Sequence, residues 1–319
     1  MAKVTEHIAN AKGKTLFSFE ILPPMKGQGI QNLFNAVEPL MEMDPKFIDV
    51  TYHREEYMYK KRENGLLEKV SLRKRPGTVG ICAALMNKFH IDTIPHIICG
   101  GFSKEETENA LIDLQFLGID NVLVLRGDAI KTEGRFVPTE GGHKYASDLI
   151  EQITTMNKGH YLNYEVENAR PTDFCVGVAG YPEKHFEAPN FNVDMEYLKK
   201  KVELGADYIV TQMFYDNSKY FEFVDKCREM GINVPIIPGL KPISTKSQLT
   251  VLPSIFHIDL PCDLVNAVND CKSTQDVRDV GVEWTIMQSK ELKERGAPCL
   301  HYYTMGKSDN VVKIAREIF

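Results

Sequence analysis

Short apolar runs rich in Val, Ile, Phe and Tyr recur along the chain at 15–21, 47–52, 92–99, 121–125, 174–179, 208–214, 234–238 and 299–304. These runs show little polar alternation, the pattern of strands buried on both faces. Between them lie helix-length amphipathic stretches, among them 31–43, 104–117, 194–203 and 220–230, and a further helix closes the chain at 310–319. Gly118, Gly205 and Gly231 follow three of these stretches just before the next run. A helix C-terminus favours glycine at that place. Strands alternating with helices build a parallel sheet, and eight is the number that closes a (β/α)8 barrel. The expected architecture is therefore an α/β TIM barrel, with an open doubly wound sheet as the alternative. No strand-to-helix turn carries Gly-x-Gly-x-x-Gly, which counts against the dinucleotide site of the open sheet. Two stretches exceed a minimal barrel: a long charged loop at 53–77 after strand two, and 241–295, which holds extra helices before strand eight.

Length alone is ambiguous, since 319 residues suit either two domains or one α/β barrel. The eight runs decide between them: spread from Thr15 to Thr304, they leave no length for a second domain. A single catalytic barrel over 1–319 is expected, with no C-terminal regulatory domain. Hydrophobic residues make up 43% and charged residues 26%, enough to build a core without long disorder. The net charge of −6 and a pI near 5.9 exclude a general nucleic-acid binder, which needs a basic field. Mean hydropathy is −0.26 and no 18-residue apolar run exists, so no membrane span is expected. Residues 1–15 lack the apolar core of a secretory signal. Seven cysteines form no Cys-x-x-Cys pair, which reads as free thiols in a reducing compartment, and the cytoplasm is the expected location.

In a barrel, chemistry is assembled at the C-terminal ends of the strands. Strand one ends Phe19-Glu20-Ile21 before Pro23-Pro24. A carboxylate there is shielded from water and suited to a raised pKa, while a Glu paired with a neighbouring cation fits equally well. Strand two ends Val50-Thr51-Tyr52. Strand three carries Pro95-His96, and a single His on an apolar strand is more often a packed core residue than a catalyst. Strand four ends Leu125-Arg126-Gly127-Asp128, where glycine lets a flat or phosphorylated ligand approach between opposite charges; an Arg–Asp pair capping the barrel is the plainer alternative. Strand five runs into Tyr181-Pro182-Glu183-Lys184-His185, a stacking face and a donor, or simply a turn. Strand six holds Thr211-Gln212-Met213-Phe214, and a buried Gln must satisfy both ends of its amide, through a pterin or nicotinamide edge or through barrel backbone. Nothing has metal-ligand spacing: the His and Cys residues form no His-Glu-x-x-His or paired set, and no metal is expected. There is no Gly-x-Ser-x-Gly elbow and no phosphate-cradling Walker loop. An acid, an amide and aromatic faces without a nucleophile suit chemistry borrowed from an organic cofactor.

Taken together and in order, these motifs, with Tyr145-Ala146-Ser147-Asp148-Leu149, Ile237-Pro238-Gly239 and His301-Tyr302-Tyr303-Thr304, resemble the methylenetetrahydrofolate reductase family over nearly the whole chain. The resemblance implies an FAD-dependent barrel that uses NADH or NADPH to reduce 5,10-methylenetetrahydrofolate to 5-methyltetrahydrofolate by ping-pong, supplying methyl groups for methionine synthesis. It gives Glu20 the role of general acid toward N10, and places Asp128 near flavin and pterin as a second catalytic residue. It assigns FAD contacts to Thr51, His96, Arg126, Gly127, Asp128, Tyr145, Ala146, Tyr181, His185, Ala188, Asp194, Lys200 and Lys201. Gln212, Gln248 and Lys307 would contact the folate, Gln212 serving the nicotinamide in turn. A homo-oligomer is also implied, as is a folate substrate with or without a polyglutamate tail.

The chain departs from the family pattern at Lys200 and Lys307, each standing where an Arg is common, at Phe186 in place of Pro, and at Tyr197 in place of Asn. A bidentate phosphate grip at Lys200 becomes a point charge. The loop at 53–77 carries Arg54, Lys60, Lys61, Arg62, Lys69, Arg73, Lys74 and Arg75. It should overhang the active face, either attracting anionic ligands or remaining a solvated charged loop. Two other functions fit less well: another flavin barrel such as a proline dehydrogenase, and a non-catalytic flavin- or folate-binding subunit.

Overall fold

The computed structural model describes residues 2–72, 75–130, 133–162 and 166–319. The chain begins with α1 (Val4–Asn10), β1 (Leu16–Ile21), α2 (Ile30–Met41) and β2 (Phe47–Val50). A hairpin follows, β3 (Glu56–Lys61) and β4 (Leu67–Leu72), and then α3 (Thr78–Phe89) and β5 (Asp92–Ile98). The alternation continues through α4 (Lys104–Phe116), β6 (Asn121–Leu125), α5 (Ala146–Met156), β7 (Cys175–Gly180), α6 (Phe191–Glu203), β8 (Tyr208–Thr211) and α7 (Asn217–Glu229). Next come β9 (Ile236–Ile237) and β10 (Gly239–Leu240), and the excursion α8 (Gln248–Phe256), α9 (Cys262–Asp270) and α10 (Thr274–Glu294). The chain closes with β11 (Cys299–Tyr303) and α11 (Asp309–Ile318).

The parallel sheet has the order β10-β11-β1-β2-β5-β6-β7-β8-β9. Its two end segments, β9 and β10, are separated in the chain only by Pro238, so they are one bent strand. Ile236 and Ile237 pair with Ile209 and Val210, whereas Gly239 and Leu240 pair with His301 and Tyr302. Proline has no N–H for a ladder, but the Pro238 carbonyl accepts from the His301 N–H at 3.1 Å. Counted this way, eight strands close the barrel, as the eight apolar runs lead one to expect. The run 208–214 is a shorter strand than its apolar length, and 234–238 is interrupted at its proline.

Strand alternation sorts side chains between two cores. Phe17, Phe19, Ile48, Val50, Val122 and Val176 face the helices in the larger apolar cluster. Leu16, Phe47, Ile94, Leu123 and Tyr208 fill the lower barrel interior together with Val4 of α1. Helix α1 closes the N-terminal end of the barrel. The Asn121 side chain accepts from Val4 N–H at 2.9 Å and donates to the Ala2 carbonyl at 3.0 Å. Asp92 accepts from Ala2 N–H at 3.1 Å and lies 2.6 Å from His7 Nε2.

Within the expected loop, residues 56–72 are more ordered than a charged loop. Glu56 to Lys61 pair antiparallel with Leu67 to Leu72, and Lys69 Nζ sits 3.9 Å from the centre of the Tyr57 ring. The pairing escaped the sequence pattern because most of β3 is exposed, leaving no buried face to write an apolar stripe. The excursion at 241–295 is helical as expected, and packs α8, α9 and α10 around Ile243, Leu264 and Val277 in a third cluster. No helix among the described residues is long and apolar enough to cross a membrane.

Gly177 faces the barrel interior, where the fully buried Tyr208 ring occupies the space of a side chain. A Cβ on Gly177 would fall 2.3 Å from Tyr208 Cζ. Gly177→Ala is therefore expected to destabilise the fold by about 1–3 kcal/mol, the usual range for overpacking. Urea unfolding monitored by circular dichroism checks this.

Candidate active site

Glu20 lies near the C-terminal end of β1 and points into the barrel on the same face as Ser18. Thr51 Oγ1 donates to Glu20 Oε1 at 2.9 Å, and Thr304 Oγ1 donates to the Glu20 main-chain carbonyl at 2.7 Å. His96 Nε2 lies 3.4 Å from Glu20 Oε2 and 3.7 Å from Asp49 Oδ2. Below them, His301 Nδ1 is 4.0 Å from Asp49 Oδ1 and 2.9 Å from Ser18 Oγ. Burial raises the Glu20 pKa; His96 and the Thr51 hydroxyl oppose this, and Asp49 adds to it. Burial also pushes Asp49 up to about 6, against the opposing effect of His301. Both imidazoles are pulled down by burial and so favour the neutral form. The result is an acid at the barrel mouth that holds its proton to higher pH than an exposed glutamate.

The neighbouring rim is cationic and aromatic. Arg126 pairs closely with Glu187 and lies over the Phe136 ring at 4.9 Å. Gly127 has φ +84°, the left-handed region that favours glycine, and the exposed Asp128 follows it. Past β7, the Tyr181 and His185 rings meet edge to face at 4.7 Å, and His185 N–H donates to Asp194 at 2.8 Å. Lys184 Nζ donates to the carbonyl of the buried Ala188 at 2.8 Å. Lys201 Nζ donates to the Ala179 carbonyl at 2.7 Å, and burial lowers its pKa to about 8 although Asp194 opposes this. Phe186, where the family has Pro, stacks between His185 at 4.9 Å and His257 at 4.7 Å. The half-buried Lys201 of α6, the arginine and bare glycine turn after β6 and the imidazole past β7, which burial keeps toward its neutral form, fit an anionic dinucleotide such as FAD.

Other expected residues lie further out. Tyr145, exposed, caps α5 with Ala146 as its first residue, and Lys144 Nζ sits 5.1 Å from the Tyr145 ring centre. Lys200 and Lys201 belong to the last turn of α6, not to a helix N-terminus, so they lack the positive dipole end a phosphate cradle would use. Lys200 is exposed, as is Tyr197. Gln212 follows β8, half-buried, and its Oε1 accepts from Met213 N–H at 2.9 Å. Gln248 opens α8, where its Oε1 accepts from Ser244 N–H at 2.6 Å, and Lys307 is exposed in the turn after β11.

The hairpin region meets the same face. Arg54 pairs with Glu133, Arg62 lies 2.5 Å from Glu68, and Arg75 donates to the Pro23 carbonyl. Two of its arginines, Arg54 and Arg62, are thus already matched by carboxylates within the protein; Arg73 and Lys74 lie outside the described residues. Burial and Arg75 pull the His53 pKa down while Asp128 opposes them, placing the start of this segment beside the rim. The residue that sequence reasoning missed is Asp49. A single acid inside Phe47-Ile48-Asp49-Val50 was a signal, since burying a carboxyl in an apolar strand costs free energy that an ordinary core position avoids.

Eight parallel strands with a shielded acid at their C-terminal mouth define a TIM-barrel protein, the acid lying at the end where such barrels build their sites. The profile of the methylenetetrahydrofolate reductase family matches residues 3–318, and the chain belongs to that family. Relatives include methylenetetrahydrofolate reductase (NADH) 1 of Arabidopsis thaliana, 32% identical over 98% of this chain and 50% of the plant protein. The 5,10-methylenetetrahydrofolate reductase of Escherichia coli is 27% identical over 96% of this chain and 91% of its own length. The chain spans about half the length of the plant and yeast relatives it matches. The same fold occurs in an uncharacterized Clostridium thermocellum protein that binds two copies of 5-methyl-5,6,7,8-tetrahydrofolic acid, with a TM-score of 0.55 and 14% identity over 98% of this chain and 97% of that one.

The Thr51 hydroxyl holds the Glu20 pKa down, so Thr51→Val is expected to move Glu20 titration upward. Carbon-13 titration of the carboxyl groups measures this, and a downward move would contradict the arrangement.

Proposed function

We propose that the chain reduces 5,10-methylenetetrahydrofolate to 5-methyltetrahydrofolate with NADH or NADPH, through FAD held at the rim. Family membership supports the reaction, and the shielded Glu20 is the observation that carries it. Opening the five-membered ring needs a proton at N10 of the folate, and an acid still protonated near neutral pH supplies it. Glu20 delivers that proton, and Thr51 orients the carboxyl through its hydrogen bond. The ring opens to a 5-iminium cation, and Asp128 at the rim would favour that positive charge and bond the pterin's amino edge.

Bound FAD would supply the two-electron hydride chemistry that these side chains lack. Arg126 and Lys201 would hold its phosphates, Tyr181 would pack against it, and Thr51, His96, Gly127, Tyr145, Ala146, His185, Ala188, Asp194 and Lys200 would complete the cradle. Arg126 must exchange Glu187 for the ligand to do so. The Gln212 amide would bond folate and nicotinamide in turn on one face, and Gln248 and Lys307 would contact the folate further out.

The purified protein is expected to show a flavin spectrum, to bleach anaerobically with NADH or NADPH, and to reoxidise with 5,10-methylenetetrahydrofolate while 5-methyltetrahydrofolate forms. Folded, FAD-loaded protein that does not reoxidise with the folate would overturn the proposal. Glu20→Gln should keep reduction by NAD(P)H and lose folate reduction by two or more orders of magnitude, about the contribution of a general acid. In the wild type, folate reduction should fall as pH rises through the raised Glu20 pKa, because the acid form is consumed. A rate that increases with pH would argue against Glu20 as the proton donor.

A further inference from the structure

Asp49 has no part in the function proposed above, yet it is the most deeply placed carboxyl of the barrel. It is fully buried, and among the described residues neither carboxyl oxygen has a hydrogen-bond partner. Asp49 stands directly opposite Glu20 in the β1–β2 register, with both side chains inward. His96 Nε2, itself without a hydrogen bond, lies between the two carboxyls, 3.4 Å from one and 3.7 Å from the other. Other groups face Asp49 too: Tyr208 from β8, Cys299, His301 and Tyr303 from β11, and Cys82 from α3. None of these brings a fixed positive charge, and burial disfavours the imidazolium of both histidines.

Two carboxylates side by side in an apolar barrel cannot both ionise cheaply, and a neutral imidazole can donate to only one of them. We propose that Glu20, His96 and Asp49 share one proton, and that Asp49 is a positioning residue whose buried carboxylate keeps that proton on Glu20. Asp49 does not meet the substrate; it acts across His96 from the neighbouring strand. The proposal rests on Glu20 as the acid of folate reduction, but the sharing itself is a property of the folded chain.

The test compares Asp49→Asn and Asp49→Glu with wild type. Removing the negative charge should lower the Glu20 pKa, so the alkaline limb of folate reduction in Asp49→Asn moves down by about one pH unit, a tenfold rate loss above it. Flavin content and anaerobic reduction by NADH or NADPH should stay within about twofold of wild type, a split that general unfolding would not produce. Asp49→Glu, which retains the charge, should restore the wild-type limb. A pH profile of Asp49→Asn that overlays wild type overturns the proposal. A second measurement needs neither variant nor turnover: carbon-13 carboxyl titration of the flavin-free wild type should show Glu20 and Asp49 each responding in both of two coupled steps. Independent single-step curves would overturn the sharing. If the wild type does not reduce the folate, the proposed function fails while this titration still decides the sharing.

Discussion

The site depends on placing carboxyl groups where little water reaches them: Asp49 is fully buried and Glu20 is half-buried at the mouth. A parallel barrel turns alternate residues inward, so Glu20 and Asp49, paired in register on adjacent strands, are driven into the same interior layer. Burial penalises the charge of each, and the nearby histidines are kept neutral by the same apolar surroundings. The chain thus meets the difficulty with protons instead of counter-ions. An ion pair with Lys or Arg would have stabilised the carboxylate and removed the acid. The lower barrel is correspondingly apolar and sealed by α1, so neither end offers Asp49 water.

The rim follows a different rule. Its cations are engaged already: Arg126 by Glu187, Arg54 by Glu133, Lys201 by the Ala179 carbonyl. A phosphate arriving at these three cations would exchange partners instead of meeting bare charge, which would make geometry count for more than long-range attraction. This agrees with a chain of net charge −6.

The barrel was legible because strands buried on both faces are written as unbroken apolar runs, and Glu20 because it interrupts such a run at its end. The hairpin after β2 was not legible, since its exposed faces carry charges that read as loop. Lys200 and Lys201 look equivalent in sequence. One helical step turns one into solvent and leaves the other against the strand end, a phase the sequence leaves open until the helix is docked. Asp49 escaped because its meaning lies in its neighbours: register with Glu20 and proximity to His96 and His301 come from strand order, not from local pattern. Gln212 was expected buried within its strand; it instead follows β8, half-buried, with its Oε1 turned back onto the Met213 N–H.

The bent strand at Pro238 has a consequence for how the barrel breathes. Here two paired residues hold each side of a proline, the shortest ladders of the ring. Local opening is easiest where the fewest backbone bonds must part together. The hoop therefore has a built-in clasp, and it lies just before the helical excursion that begins with Gln248. A clasp on this arc would part first, while the longer ladders joining β1, β2 and β5 keep Glu20 opposite Asp49.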